Sequence, residues 1–433
     1  MIKKKVIATI VSAVLLSSVL VGCGGNSAVP GRSNTSSNNS ITVLVESGSP
    51  AETLAIATAE EFKALTGYEV IIDATPYSGM FDKLSTSIRA NATTYDVVSL
   101  DVLWLSAFEH ALLPLDEIAT EEITSDFLPT LQDGGTLHGN LLGFPMWINA
   151  KVLIYRSDLF RDDIQRENFK EEYGRELTVP TTWDEFKEVA KFFTTDDMFG
   201  TAVFGAASGD TVCSFLDHAS QAGAKPLVLD ENNNVLIDTQ AYIDALQFQL
   251  DLIEAGVVPQ ETLSIASTES QELFNNGRIA MQLNWSHQFP AANALNEGNV
   301  GVAPMIGGSA GVAAVAGPWY QSVMKNSENI EIAKQYVLFM FENNYRYMTE
   351  GSLRIAGRIS VYEEFATIPG NEHLTAVLET LDNAYSQNRP NTPFWKEIEE
   401  VLARAIQAGL SGNNTPEGAL QDARVAIEAI LSR

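Results

Sequence analysis

The sequence predicts an α/β protein of two lobes, each an open, mostly parallel β-sheet flanked by helices and joined to the other by crossing segments. Strand and helix patterns alternate after residue 40, and this alternation implies parallel strands connected by helical crossovers. The part of the chain after residue 40 has about 390 residues, more than one hydrophobic core normally supports. Two lobes are therefore expected.

Three strand patterns separated by two helix patterns predict the first lobe. Runs of aliphatic and β-branched residues predict strands at 41–45, 68–74 and 95–100. Apolar residues at helical spacing predict helices at 51–65, which Gly67 closes as a C-cap, and at 81–90. Ligands of such open sheets bind beyond the carboxyl ends of the strands. This rule indicates the residues that follow the three strands: Glu46 and Ser47, Thr75 to Tyr77, and Asp101 with Trp104.

The second unit is predicted to begin near Trp147. Its strands are expected at 151–155, 200–205 and 279–283. Thr182 and Glu185 form a capping-box pattern that opens a helix ending at Phe193. Further helices are expected at 240–255, 330–341, 395–407 and 416–431, and 301–304 is expected to be a crossing segment.

The first 23 residues predict export. Three lysines precede an apolar stretch from Val6 to Leu20, which is short for a transmembrane helix and typical of a signal-peptide core. The stretch ends at Leu20-Val21-Gly22-Cys23, which resembles the bacterial lipobox. We therefore expect residues 1–22 to be a lipoprotein signal peptide and Cys23 to carry the lipid (palmitate) that anchors the mature protein to the extracytoplasmic face of the bacterial cell membrane. Residues 23–40, rich in Gly, Ser and Asn, are expected to be a flexible tether.

Composition restricts the classes of partner. Without residues 1–22 the chain has 24 basic and 55 acidic residues, a formal charge of −31. Such a surface repels nucleic acid and anionic lipid, so no nucleic-acid partner is expected and membrane attachment depends on the lipid. With Cys23 acylated, Cys213 has no intramolecular partner and is expected to be a buried small hydrophobe. Five scattered histidines and no Cys/His cluster predict no metal site and no cofactor.

Eight phrases occur in a characteristic order behind the lipobox: YDVVSLDVLWLSAF with LLPLDE, LLGFPMWINAKVLIYRSDLF, TTWDEF, FNNGRIAMQLNW, GVAPMIGG, AGPWYQSVMKNSENIEIAKQYVLFMF, NRPNTPFWKEIEEVLARAI and TPEGALQDA. This order resembles the family 1 extracellular solute-binding proteins of bacterial ABC importers, whose best-known relative is maltose-binding protein. The resemblance covers nearly the whole mature chain. Where many sugar-binding relatives have an acidic residue shortly after the Pro of the GFP-like phrase, this chain has Asn149.

The resemblance implies a periplasmic-binding-protein type II fold that closes over a ligand. The first lobe would comprise 41–147 with about 303–345, and the second 148–302 with about 346–433. The resemblance further implies a monomeric, non-enzymatic protein that captures a mono- or oligosaccharide and delivers it to the permease subunits of an ABC importer.

A sugar-binding site is expected to combine aromatic side chains, which pack on the apolar faces of sugar rings, with polar side chains, which bond to the sugar hydroxyls. Four tryptophans lie after predicted strands or in Gly/Pro-containing loops: Trp104, Trp147, Trp285 and Trp319. A fifth, Trp395, lies in a phrase that resembles the part of maltose-binding protein that adds a stacking tryptophan. Trp183, inside the capping box, is expected to be structural. The expected polar residues are Glu46, Asp101, Asn149, Asp210, Arg358 and Asn388.

Several of these residues have a structural alternative. Asp101 could cap a helix, and Asp210 could lie in a plain surface turn. Arg358 could pair with Glu363 or Glu364 instead of a sugar, and Arg389 has the same ambiguity.

Other functions remain open on sequence grounds. A polyamine or ferric-ion binder is the nearest alternative: Glu46, Asp101 and Asp210 could hold a polyamine, whereas no adjacent tyrosine pair for iron is found at a strand end. An exported, lipid-anchored glycoside hydrolase is a more distant one, because acidic pairs are abundant in this chain, although the common hydrolase motifs are absent.

Overall fold

The computed structural model describes residues 39–296, 298–349 and 354–433. The predicted signal peptide, the predicted lipid-attachment residue Cys23 and nearly all of the predicted tether lie outside these residues. Within the described ranges no helix is both long and apolar enough to cross a membrane.

Strands occur both in the first half of the chain and after residue 280. They are β1 (Ser40–Glu46), β2 (Glu69–Thr75), β3 (Val97–Asp101), β4 (Thr136–Leu137), β5 (Asn140–Leu141), β6 (Phe144–Trp147), β7 (Lys151–Arg156), β8 (Met281–Trp285), β9 (Val300–Ala303), β10 (Gly307–Gly308), β11 (Gly311–Val312), β12 (Val315–Ala316), β13 (Trp319–Val323) and β14 (Gln387–Asn388).

Helices connect and cover the strands. They are α1 (Pro50–Thr66), α2 (Tyr77–Arg89), α3 (Leu105–Phe108), α4 (Glu121–Thr124), α5 (Pro129–Gly135), α6 (Ser157–Arg161), α7 (Asp163–Tyr173), α8 (Trp183–Phe193), α9 (Gly209–Gln221), α10 (Gln240–Glu254), α11 (Ser267–Asn275), α12 (Phe289–Leu295), α13 (Ile330–Glu342), α14 (Arg346–Thr349), α15 (Ile359–Phe365), α16 (Glu372–Leu381), α17 (Trp395–Leu410) and α18 (Pro416–Leu431).

The larger sheet has the strand order β2-β1-β3-β13-β6. β1 runs parallel to both β2 and β3, which confirms the parallel pairing predicted from the strand–helix alternation. β13 enters from much later in the chain and runs antiparallel to β3 and β6. Its first residue, Trp319, is the register partner of both Asp101 and Trp147. Three predicted site residues therefore meet where β3 and β6 end and β13 begins.

Local sequence explains why α1 forms where it was predicted. Ser49 caps the helix by accepting a hydrogen bond from the Glu52 amide, and Pro50 follows at the first helical position, where its missing N–H costs nothing. Gly67 ends the helix with φ of 77°, a left-handed conformation that glycine adopts without a Cβ penalty. The predicted helices at 240–255, 330–341, 395–407 and 416–431 are likewise present, as α10, α13, α17 and α18.

The smaller sheet differs from the predicted mostly parallel one. Its order is β8-β7-β9, and β7 runs antiparallel to both neighbours. The direction of these strands depends on long connections between them. Lys151 on β7, for example, pairs with Trp285 on β8, which lies more than a hundred residues later in the chain. The local hydrophobic pattern does not predict in which direction the strands joined by such a connection run.

Two predicted segments in this part of the chain were wrong. The stretch Gly200–Gly205 is not a strand, because its amides bond to loops: Thr201 N donates to Val257 O and Gly205 N to Ile265 O. The 301–304 segment, expected to cross between the lobes, lies mostly in β9, the edge strand next to β7. The chain leaves the smaller sheet after Ala303 and joins the larger one at Trp319.

Candidate ligand-binding cleft

A cleft of about 660 Å³ lies where β1, β3, β6 and β8 end and β13 begins. Seven of the eleven predicted ligand-binding residues line it: Glu46, Asp101, Trp147, Asn149, Asp210, Trp285 and Trp319. The strand-end rule for open α/β sheets therefore places the cleft correctly. Five residues outside that predicted set also line the cleft and carry much of its chemistry: Tyr77, Cys213, His287, Arg389 and Glu399.

One wall of the cleft is an aromatic cluster at the edge of the larger sheet. Trp319 stacks on Trp147, with ring centroids 5.5 Å apart, and meets Trp104 edge-on at 5.8 Å. Tyr77 stacks on Trp104 at 5.0 Å. Trp147, Trp319 and Trp104 are all at least nine-tenths buried. Small exposed parts of Trp147 and Trp319 line the cleft, and the ring contacts fix their orientation.

Trp285, at the end of β8, forms an aromatic surface from the smaller sheet. Its indole N–H donates to Asp210 Oδ1 at 2.8 Å, and the Lys151 ammonium lies 4.4 Å from the ring centroid. Asp210 is not in a plain surface turn: it lies in the first turn of α9, which Ser208 caps. These two contacts fix the orientation of an indole that is only partly buried.

Lys151 and Asp217 form a fully buried ion pair beneath Trp285. Lys151 Nζ lies 3.0 Å from Asp217 Oδ2, and the side chains are 0% and 1% exposed. Asp217 Oδ1 also accepts the amide of Val315 at 2.7 Å. Burial raises the pKa of Asp217, whereas the Lys151 charge and these hydrogen bonds lower it. The pair joins β7, α9 and the strand β12.

Asp101 links the cleft to Arg389. Arg389 Nη2 donates to Asp101 Oδ1 at 3.2 Å, and the Tyr77 hydroxyl donates to Asp101 Oδ2 at 3.1 Å. Asp101 also accepts the Leu103 amide, so the helix-capping role and the cleft-lining role coexist. Arg389 is 7% exposed, and its Nη1 lies 3.4 Å from Cys213 Sγ. Cys213 is buried, as predicted, and burial raises the pKa of its thiol to about 11.

Two further carboxylates have raised pKa values. Burial, with a smaller contribution from the nearby charge of Asp101, raises the pKa of Glu46 from 4.5 to about 7. Burial also raises the pKa of Glu399, although the Arg389 charge and a hydrogen bond from the Trp395 indole oppose the shift. The cleft is therefore an environment in which negative charge is costly.

Asn149 is held by two contacts. Ser286 Oγ donates to Asn149 Oδ1 at 2.6 Å, and Asn149 Nδ2 lies 2.6 Å from His287 Nδ1. Burial lowers the pKa of His287 to about 4, so the ring is neutral at pH 7. Because the amide nitrogen is a donor, His287 Nδ1 accepts and the ring proton lies on Nε2.

Two of the predicted tryptophans line a smaller neighbouring pocket of about 120 Å³. Trp104 and Trp395 share this pocket with Tyr77 and Glu399, which also line the main cleft. Trp395 is 3% exposed and donates its indole N–H to Glu399. Trp183, expected to be structural, bonds to Gln221 and stacks on Phe248.

Arg358 and Asn388 do not line the cleft. Arg358 pairs with Asp126 at 2.6 Å, rather than with Glu363 or Glu364, and also bonds to main-chain carbonyls. Asn388 donates to the Thr130 carbonyl at 3.1 Å, whereas its neighbour Arg389 lines the cleft. Successive side chains of an extended segment point to opposite sides, so the prediction missed by one residue.

Comparisons with known proteins agree with this architecture. Residues 46–346 match the sequence profile of the family described as "Bacterial extracellular solute-binding protein". Among solved structures, maltose-bound MalE3 of T. maritima is 27% identical, with a TM-score of 0.77 over 90% of this chain and 99% of that one. An ABC transporter solute-binding protein of Thermotoga lettingae TMO bound to α-D-tagatose is 22% identical, with a TM-score of 0.76 over 91% and 100%.

A curated sequence relative is similar over most of the chain. A protein of Brucella abortus (strain 2308), whose name mentions binding but no ligand, is 24% identical over 85% of this chain and 87% of its own length. The match to the family profile extends over more than half of the 433 residues, and the solved neighbours share the two-lobed fold. The chain belongs to the family of bacterial extracellular solute-binding proteins.

Proposed function

We propose that this protein captures a mono- or oligosaccharide outside the cytoplasmic membrane and presents it to the permease of an ABC importer. The observation that carries the proposal is the composition of the cleft, which is lined both by the indoles of Trp147, Trp319 and Trp285 and by hydrogen-bonding groups. A sugar ring has apolar C–H faces and a rim of hydroxyls, and this combination of surfaces is complementary to both.

The size of the cleft supports the same ligand class. A volume of about 660 Å³ lies within the range of small-molecule sites and accommodates more than one sugar ring. The solved relatives named above bind maltose and tagatose by their titles, and this chain shares their fold. Polar groups that line the cleft, including Asn149, His287 and Arg389, would bond to the hydroxyls.

The mechanism that we propose is capture by closure of two lobes, without covalent chemistry. The larger sheet, with 41–147 and about 303–345, would form one lobe, and 148–302 with about 346–433 the other. Closing them desolvates the ligand between indoles from both sheets, which favours the closed state by differential affinity. We further propose that the mature chain is a monomer that Cys23 anchors by lipid to the extracytoplasmic face of the membrane.

A thermal-shift screen tests the ligand class. The mature protein without its lipid would be melted with monosaccharides, disaccharides, polyamines and metal ions. A ligand at a hundred times its dissociation constant stabilises the folded state by about 2.7 kcal/mol, which shifts the melting temperature measurably. Stabilisation by a saccharide is the expected result. Stabilisation by a polyamine or by iron alone would overturn the sugar proposal.

A further inference from the structure

The cleft has more negative than positive charge on its walls. Four carboxylates line it, those of Glu46, Asp101, Asp210 and Glu399. Among the described residues that line the cleft, Arg389 is the one lysine or arginine, and it pairs with Asp101. His287 is neutral near pH 7 because burial lowers its pKa to about 4. Three carboxylates therefore face the cleft without a cationic partner from the lining residues.

The hydrogen bonds of these three carboxylates come from neutral donors. Asp210 accepts the Trp285 indole N–H, and Glu399 accepts the Trp395 indole N–H. The Glu46 carboxylate has no hydrogen bond to any other described residue. Burial is the main cause of the raised pKa of both Glu46 and Glu399; the Arg389 charge opposes the shift of Glu399, and the charges of Asp101 and Asp210 add to it. The negative charge of these walls is thus compensated only in part, by Arg389 at Glu399, and none of the three carboxylates has an ion pair with a described lysine or arginine.

Arg389 supplies a second, independent indication of the ligand. The side chain is more than nine-tenths buried in the cleft wall, and two of its five N–H donors have partners among the described residues: Nη2–H bonds to Asp101 Oδ1, and Nη1–H to Cys213 Sγ, a weak acceptor. A buried N–H without an acceptor is costly. A ligand that satisfies this guanidinium must offer an oxygen acceptor, which a simple alkyl polyamine lacks.

We propose that the ligand is an amine-bearing saccharide, whose protonated amino group lies among Glu46, Asp210 and Glu399 and whose hydroxyl or ring oxygens accept from Arg389. This inference rests on the proposed function, because it assumes that the cleft binds a saccharide. A neutral sugar would keep Glu46 protonated and would leave Asp210 and Glu399 desolvated on closure without an ion pair. An ammonium group compensates that charge, and the sugar ring still contacts Trp285 and Trp319 through its C–H faces.

Matched sugars that differ only in the amine test the proposal. Calorimetric titration of the unlipidated mature protein would compare D-glucosamine with D-glucose, and the β-(1→4) disaccharide of glucosamine with cellobiose. At pH 6.5 and low salt we expect the amine-bearing member to bind at least about tenfold more tightly, the gain of one favourable charge pair. We also expect added salt to reduce this ratio.

Two variants test which carboxyl groups produce the preference for the amine-bearing sugar. Glu46→Gln and Asp210→Asn each remove one carboxyl group that can ionise beside the ammonium while keeping a similar shape, and each should reduce the amine-to-neutral affinity ratio severalfold. Glu60→Gln, on the exposed face of α1, removes the same net charge far from the cleft and should leave the ratio unchanged. A reduced ratio in the Glu60 variant would mean that the preference arises from overall charge, which would overturn the proposal.

The outcomes separate the two proposals. Equal or tighter binding of the neutral sugars would overturn the amine preference and leave the saccharide-binding function intact. Binding of spermidine with no binding of any saccharide in the panel would overturn both.

Discussion

Trp147 and Trp319 stack at the edge of the larger sheet with their ring planes inclined by 21°, and they are register partners on β6 and β13. β6 and β13 are brought together from positions more than 170 residues apart. The same two rings that complete the core at this edge therefore form the apolar wall of the cleft. Trp319 is thus both a core residue and a cleft residue.

Trp319→Ala should therefore lower stability as well as affinity. Trp319 is 9% exposed and contacts Trp147, Trp104 and Tyr77, so its removal leaves a large cavity. We expect the free energy of unfolding of the ligand-free protein to fall by about 3–5 kcal/mol. Urea denaturation measures this loss. The conservative Trp319→Phe should retain most of the stability, and an unchanged midpoint for Trp319→Ala would show that the ring is not part of the core.

Glu46→Gln should change how stability depends on pH. The pKa of Glu46 is raised from 4.5 to about 7 in the folded state, so the folded protein binds a proton between these values that the unfolded chain releases. Its contribution to stability is thus greatest below about pH 4.5, falls as pH rises, and is constant above about pH 7. Across this pH interval the free energy of unfolding of the wild type should fall by at most about 3 kcal/mol relative to that of the variant.

Denaturation of the two proteins in parallel from pH 4 to 8 measures that difference. Taking the difference removes the opposite trend expected from His287 and His373, whose pKa values burial lowers to about 4. A difference that does not vary with pH would contradict the assignment of a desolvated carboxyl at residue 46.

Lys151→Met should destabilise the protein because it leaves the Asp217 carboxylate buried without its counter-charge. Breaking one member of a buried pair costs about 3–5 kcal/mol. The double variant Lys151→Met with Asp217→Asn should recover part of this loss, since Asn can still accept the Val315 amide. Lys170→Met removes a lysine from an exposed ion pair with Glu176 and should cost no more than about 1 kcal/mol. Equal losses in the two lysine variants would contradict a buried pair.

The sequence predicted best what depends on neighbouring residues. Ser49, Pro50 and Gly67 define α1 locally, and the strand-end rule located Glu46 and Asp101 at the cleft. Tyr77 was indicated by the same rule but was not selected.

What could not be predicted depends on contacts between distant segments. Arg358 is held by Asp126, 232 residues away, and Glu399 reaches the cleft from within α17. The antiparallel direction of β8 and β9 against β7 depends on long connections in the same way. The pattern of apolar and polar residues within a window of ten does not predict such contacts.

The central claim, that this cleft binds a saccharide between indoles, is tested most directly by calorimetric titration of the tightest-binding saccharide into wild type and Trp285→Ala. Trp285 is only partly buried, so the variant should remain folded, with a urea midpoint close to that of the wild type. We expect one saccharide to bind per wild-type chain and the variant to bind it with a loss of about 2 kcal/mol or more, roughly thirtyfold in affinity. Equal affinity in the folded variant, or no saccharide binding to the wild type, would contradict the claim.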